Sequence, residues 1–176
     1  KKLLEDSIKL FYDNKNKMFY FSGSNNEKLL TNKIEIFDNV IPSSNSVMFH
    51  NLLILGKIYN DKLYINLYNE MTKKLKKYLN NYEFMSNWIF INEINQKMIN
   101  EIEIKDVSYN HKITKEINSW YLPNKIIMYN NRPFSHYTKN ENLKLSIYLC
   151  RNNVCNETIH SVNNLKKTIT SNKFGY

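Results

Sequence analysis

Near Met98 the hydrophobic rhythm of this chain changes, and that change restricts its folds more than any bulk property does. Before it, apolar residues recur every three or four positions; after it, the run "EIEIKDV" at 101–107 alternates strictly. The first spacing lays an apolar stripe along a helix, and the second gives a strand two distinct faces. The chain is therefore read as α+β and mainly α. Residues 1–98 form a helical-hairpin segment and residues 99–176 a small α/β unit.

In the first segment Leu4, Ile8 and Phe11 mark one stripe, closed by the polar turn "DNKNK". "MFYFSGS" is too aromatic and too short for a helix, so it reads as an extended or hairpin excursion ending at Gly23. Pro42 stops regular structure, and Ser43 or Ser44 caps the helix that follows. Met48, Leu52, Leu55 and Tyr59 line that helix, while Val47, Phe49, Leu53 and Ile54 widen its apolar face until most sides are apolar. Asp61 caps a further helix in which Leu63, Leu67, Met71, Leu75 and Leu79 step by four. A third run carries Phe84, Trp88, Ile91, Ile94 and Met98. Short polar turns between such runs are the pattern of antiparallel helix pairs.

In the second segment "NHKITKEINSWYL" reads as a helix closed by Pro123. "KIIMY" and "LKLSIYLC" read as strands, and "SVNNLKKTI" as a capped terminal helix.

Composition narrows function mostly by exclusion. The formal charge of +9 comes almost wholly from lysine, since Arg132 and Arg151 are the only arginines. Base and phosphate recognition leans on arginine forks, so nucleic acid is not an expected partner. The densest basic run, "KKLKKY" at 73–78, falls on a helix and reads as a solvated face. No stretch reaches the roughly 18 apolar residues that crossing a bilayer takes, so no membrane partner is expected either. Two cysteines are too few for a secreted disulfide framework, which makes the cytoplasm the expected compartment. The opening "KKLLEDSIKLFY" starts inside a helical pattern without Met, which suggests a piece of a longer polypeptide.

Three stretches together resemble one family. "FDNVIPSSNSVMFHNLLILGKIYNDKLY" is similar to a Pro-Ser-x-Asn-Ser segment of thioredoxin-domain proteins of the spermatogenesis-associated type, with Ser44 where the family has glycine. "INSWYLPNKIIMY" with "SIYLCRNNVCNETIHSVNNLKKTI" resembles that family's C-terminal end. "YDNKNKMFYFSGSNNEKLL" resembles an earlier aromatic portion. The resemblance implies the C-terminal part of a protein in which a thioredoxin-like domain precedes an (α/α)6 six-hairpin toroid related to glycosidases and sugar epimerases. Residues 1–98 would be the toroid's last hairpins. The implied partners are the rest of that toroid, the N-terminal thioredoxin-like domain and a sugar ligand, with no cofactor. The parent is then expected to be a carbohydrate epimerase, isomerase or hydrolase, and this segment either to complete its cavity or to serve as a non-catalytic packing module.

Candidate site residues follow. A helix N-terminus offers free N–H groups and partial positive charge. Asp38, Ser43, Ser44, Asn45 and Ser46 add donors and acceptors there, and the resemblance puts them at the mouth of the cleft. The competing reading is ordinary capping. Asp38 and His50 are the candidates for acid–base work, although glycosidase chemistry needs a second carboxylate about 5–9.5 Å away that the spacing does not supply. Tyr20 and Phe21, flanking the Gly23 turn, are candidates for stacking on a sugar.

In "YLCRNNVCNE" a two-residue turn at Asn152 and Asn153 sets Arg151 opposite Val154 and Cys150 opposite Cys155, the latter as the non-hydrogen-bonded pair. That register permits a cross-strand disulfide, with Arg151 close enough to favour a thiolate. The alternative is two buried thiols. Cys150, Cys155 and His160 lack the spacing and the fourth ligand of a zinc site, so no metal is expected.

Overall fold

The computed structural model describes residues 1–26, 31–106, 111–129, 145–152 and 154–171. Leu29, Leu30, Val107, Asn110, Arg132, Leu143, Lys144 and Asn153, all used above, lie outside these. The chain separates into two compact units, Lys1–Asn92 and Glu93–Tyr176. No described helix is long and apolar enough to cross a membrane.

The first unit opens with α1 (Lys2–Phe11) and a small antiparallel hairpin of β1 (Tyr12–Asp13) and β2 (Met18–Phe19). Asp13 holds the turn: its carboxylate accepts from the amides of Lys15 (2.9 Å) and Asn16 (3.2 Å). The "MFYFSGS" run is thus half hairpin, half irregular. Helix α2 (Ser44–Tyr59) follows the Pro42 break and ends at Asn60, which adopts the left-handed conformation (φ 50°) that asparagine tolerates. Asp61 then caps α3 (Lys62–Leu75), accepting from Leu63 N at 2.9 Å.

Gly56 lets these two helices approach closely, for a Cβ there would stand 2.6 Å from Ile65 Cδ1. Phe49 stacks on Tyr68 at 4.3 Å and tilts against Trp88 at 5.0 Å, and Leu52, Leu53, Leu67 and Met71 of α2 and α3 are buried as well.

Two helical expectations change. The stripe stepping by four from Leu63 predicts one helix to Leu79, but the α-helix stops at Leu75 and a 3-10 stretch (Lys76–Phe84) continues the chain. Leu63, at the start of that stripe, is 56% exposed. The third run is likewise shorter than its periodicity, because α4 spans Ser86–Gln96. Phe84 precedes it on the surface, and Met98 follows it with φ 58°. Spacing alone does not register a kink, which depends on local capping and packing.

The second unit is a four-stranded sheet in the order β4-β3-β5-β6. Central β3 (Asn100–Asp106) pairs parallel with β4 (Lys125–Tyr129) and antiparallel with β5 (Leu145–Arg151), and β6 (Val154–Cys155) forms the edge. Helix α5 (Lys112–Ser119) makes the β3–β4 crossover and α6 (Val162–Ser171) is the last described element. Period two puts Ile102, Ile104, Ile147 and Leu149 on one face, where Ile117 of α5 and Leu165 of α6 close the core. Lys125 Nζ reaches the carbonyls of Ile117 (2.9 Å), Asn118 (3.0 Å) and Trp120 (2.6 Å), so a cation caps the C-terminus of α5. Helix α5 is shorter than the "NHKITKEINSWYL" reading, because Trp120 is already extended.

Candidate functional site

The polar stretch at 38–46 is a closed hydrogen-bond network. Ser43 is the N-cap of α2: its Oγ accepts from Ser46 N at 3.2 Å and donates to the Ile36 carbonyl at 2.9 Å. The exposed Ser44 is not the cap. Asp38 Oδ1 accepts from Ser43 N (2.9 Å) and from the Ser46 hydroxyl (2.7 Å), while Oδ2 accepts from Asn87 N (2.9 Å). Asn87 Nδ2 in turn donates to Ser46 Oγ at 3.0 Å.

One carboxylate thereby serves the N-termini of two helices. Helix α4 needs this because Met85, whose carbonyl accepts its first helical bond from Ile89 N, has no side-chain acceptor. Asp38 supplies the acceptor from 49 residues away. Negative charge at two helix N-termini is favourable, roughly 0.3–1 kcal/mol for each at exposed sites.

Asn45 does a second job. Its Oδ1 accepts from Phe19 N (2.7 Å), and its Nδ2 donates to the carbonyls of Phe19 (2.8 Å) and Glu35 (2.8 Å). The side-chain amide completes the edge of β2 as a neighbouring strand's backbone would, and so ties the hairpin to α2. Asn45 and Ser46 are fully buried, and Asp38 and Ser43 nearly so.

Their burial and mutual pairing carry the capping reading. The segments that flank the network expose large apolar side chains among exposed polar ones: Val40 is 98% exposed, Ile41 73%, Tyr82 68%, and Phe37 and Phe84 are also exposed. The bond from Asp38 N to the Phe84 carbonyl (2.8 Å), with the Asp38–Asn87 link, holds these two segments side by side. Phe37 meets Phe84 edge-on at 6.3 Å.

The other candidates are placed apart from one another in role. Half-buried His50 lies on α2, and among the described residues no carboxylate is hydrogen-bonded to it; burial lowers its imidazole pKa. A histidine whose folded pKa is depressed lends stability that is complete above the ordinary value of 6.5 and is lost as pH falls through the lower folded value. Proton NMR is expected to show His50 titrating below 6.5. A midpoint at or above that value would contradict the burial.

Tyr20 donates its hydroxyl to Asp13 Oδ2 at 2.8 Å, and this bond, followed by burial, raises its pKa. Phe21 remains 63% exposed, with Lys33 Nζ 6.0 Å above its ring. Glu35 pairs loosely with Lys33 at 3.8 Å.

In the second unit the hairpin register agrees with the expectation. Cys150 pairs with Cys155 and Arg151 with Val154, and the two cysteines are joined by a disulfide. The alternative of two thiols is not the state seen. Arg151 is the correction. Alternation sends its side chain to the face opposite the sulfurs, where Nε donates to Asn100 Oδ1 at 2.8 Å. The residue across the ladder from Cys150 is Glu101.

Sequence reasoning missed three participants. Asn87 could have been suspected from a helix start behind Met85, which cannot cap. Glu101 and Glu103 carry no such signal, because Ile–Glu alternation ordinarily puts the carboxylates in water, yet each is only 1% exposed. Lys105 approaches Glu103 at 3.9 Å and lies 5.7 Å over the Tyr148 ring.

No family profile matches this chain, and neither a curated protein nor a solved structure does.

Proposed function

We propose that this chain is a non-catalytic packing module, the C-terminal part of a thioredoxin-domain protein of the six-hairpin type. Its role there is to dock on the remaining hairpins and on the thioredoxin-like domain, and so to complete a carbohydrate cavity whose reacting carboxylates lie elsewhere in the parent. The observation that carries this reading is an apolar lip, the exposed Phe37, Val40, Ile41, Tyr82 and Phe84 on the segments flanking a polar network whose bonds turn inward. Large apolar side chains gathered at a surface mark a place of contact with another body. A polar group already paired within the fold has little left to offer a sugar.

Sedimentation of the chain alone is the test. The wild-type chain is expected to self-associate as concentration rises and to bind an apolar dye. A Val40→Asp, Ile41→Asp double variant is expected to stay monomeric with an unchanged denaturation midpoint, since both side chains are solvent-facing. A wild-type chain that remains monomeric and dye-free at high concentration defeats the docking role. Thermal shift against a panel of mono- and disaccharides is expected to leave Tm unmoved. A sugar that stabilises the wild-type chain but not Asp38→Asn would return the site to the lip.

A further inference from the structure

The cysteine pair sits where a structural staple gains little, and its outer member is only partly buried. Cys150 and Cys155 are five residues apart and join strands that already pair, with Asn156 N donating to the Leu149 carbonyl at 3.0 Å. Cross-links that close long loops remove most chain entropy, and this loop is short. The two sulfurs also differ in access. Cys150 is 0% exposed on the inner strand β5, with buried Glu101 opposite it in the ladder. Cys155 is only half-buried, on the edge strand β6 between exposed Val154 and exposed Asn156.

An edge strand also offers backbone N–H and C=O groups to an incoming extended segment. Beside it an open groove of about 610 Å³ runs from Asn156 and Glu157 to Asn164 and Lys167 of α6, which leaves room for a partner's loops.

We propose that the Cys150–Cys155 bond is an exchangeable redox site, attacked at Cys155 by a protein dithiol that docks along β6. The partner's thiolate bonds to Cys155 Sγ and the Cys150–Cys155 bond breaks, with Cys150 leaving as a thiolate that takes a proton. The partner's second thiol then attacks the mixed disulfide and releases Cys155, which is protonated in turn. The partner ends as a disulfide and this chain as a dithiol, two electrons having moved to it. Reduction removes the covalent tie between β6 and β5, whose backbone pairing then holds the edge.

The test uses the wild-type chain, air-oxidised and folded, with a thioredoxin whose resolving cysteine is replaced by serine, so that the first covalent species accumulates. Peptide mapping by mass spectrometry is expected to find the mixed disulfide on Cys155, with Cys150 free to react with maleimide. Intact thioredoxin in its reduced, dithiol form is expected to yield two free thiols on this chain without denaturant, itself ending as the disulfide. A trap on Cys150 overturns the proposal. So does a disulfide that yields only after the chain is unfolded, or an air-oxidised chain that carries two free thiols from the start.

Discussion

Replacing Asp38 with alanine is expected to lower folding stability by about 3 kcal/mol, because three donors, two buried and one part-buried, lose their acceptor at once and each costs roughly 1–3 kcal/mol when left unmet. The three are Ser43 N, the Ser46 hydroxyl and Asn87 N. The estimate stays near the low end of the sum because Asp38 lies close enough to the surface, at 5% exposure, for water to replace part of the loss. Asp38→Asn keeps one acceptor oxygen, so its loss is expected to be about half as large. Ser46→Ala removes one donor to Asp38 and one acceptor for the part-buried Asn87 amide, and is expected to cost about 1 kcal/mol. Denaturant unfolding at neutral pH orders the three variants. An Asp38→Ala loss no larger than that of Ser46→Ala would show that the carboxylate does not join α2 to α4.

Phe49→Ala is expected to cost about 3–5 kcal/mol, the range for emptying a large aromatic from a core. Phe49 is fully buried and in ring contact with Tyr68 and Trp88, so α2, α3 and α4 all border the cavity it would leave. Phe21→Ala is the matched control: the same chemistry at a 63% exposed position is expected to change stability by no more than about 0.5 kcal/mol. Chemical denaturation of both variants checks the pair, and similar losses at the two positions would contradict the assigned core.

Docking through the lip and exchange at Cys155 concern different units, so one can fail without the other. Val40 and Ile41 lie in the first unit, and the disulfide lies in the second.

Much of the architecture is legible in the sequence. Stripes of three and four residues located α1, α2 and α3, and the switch to alternation near Met98 located the sheet. Asp61 announced the start of α3 by type, since aspartate is a good cap. The cysteine register followed from the length of the turn between the two strands. The failures share a cause as well. Helix α3 gives way to a 3-10 stretch although its stripe runs on to Leu79, and α4 is shorter than its apolar run. Periodicity reports which face a helix would bury, and it is silent on where the hydrogen-bond ladder stops.

What the sequence determined by itself is much of what is set between neighbours a few residues apart: the apolar stripes of the helices, the Asp61 cap and the register of the cysteine hairpin. Only the tertiary structure decided what the polar stretch at 38–46 is for. Asp38 takes its meaning from Asn87 and Asn45 from Phe19, partners 49 and 26 residues distant. Those same side chains would suit a ligand if left unpaired. Their burial turns a hydrogen-bonding capacity written in the sequence into a join between helices, because an acceptor shut away from water must be used by whatever donors the fold brings to it.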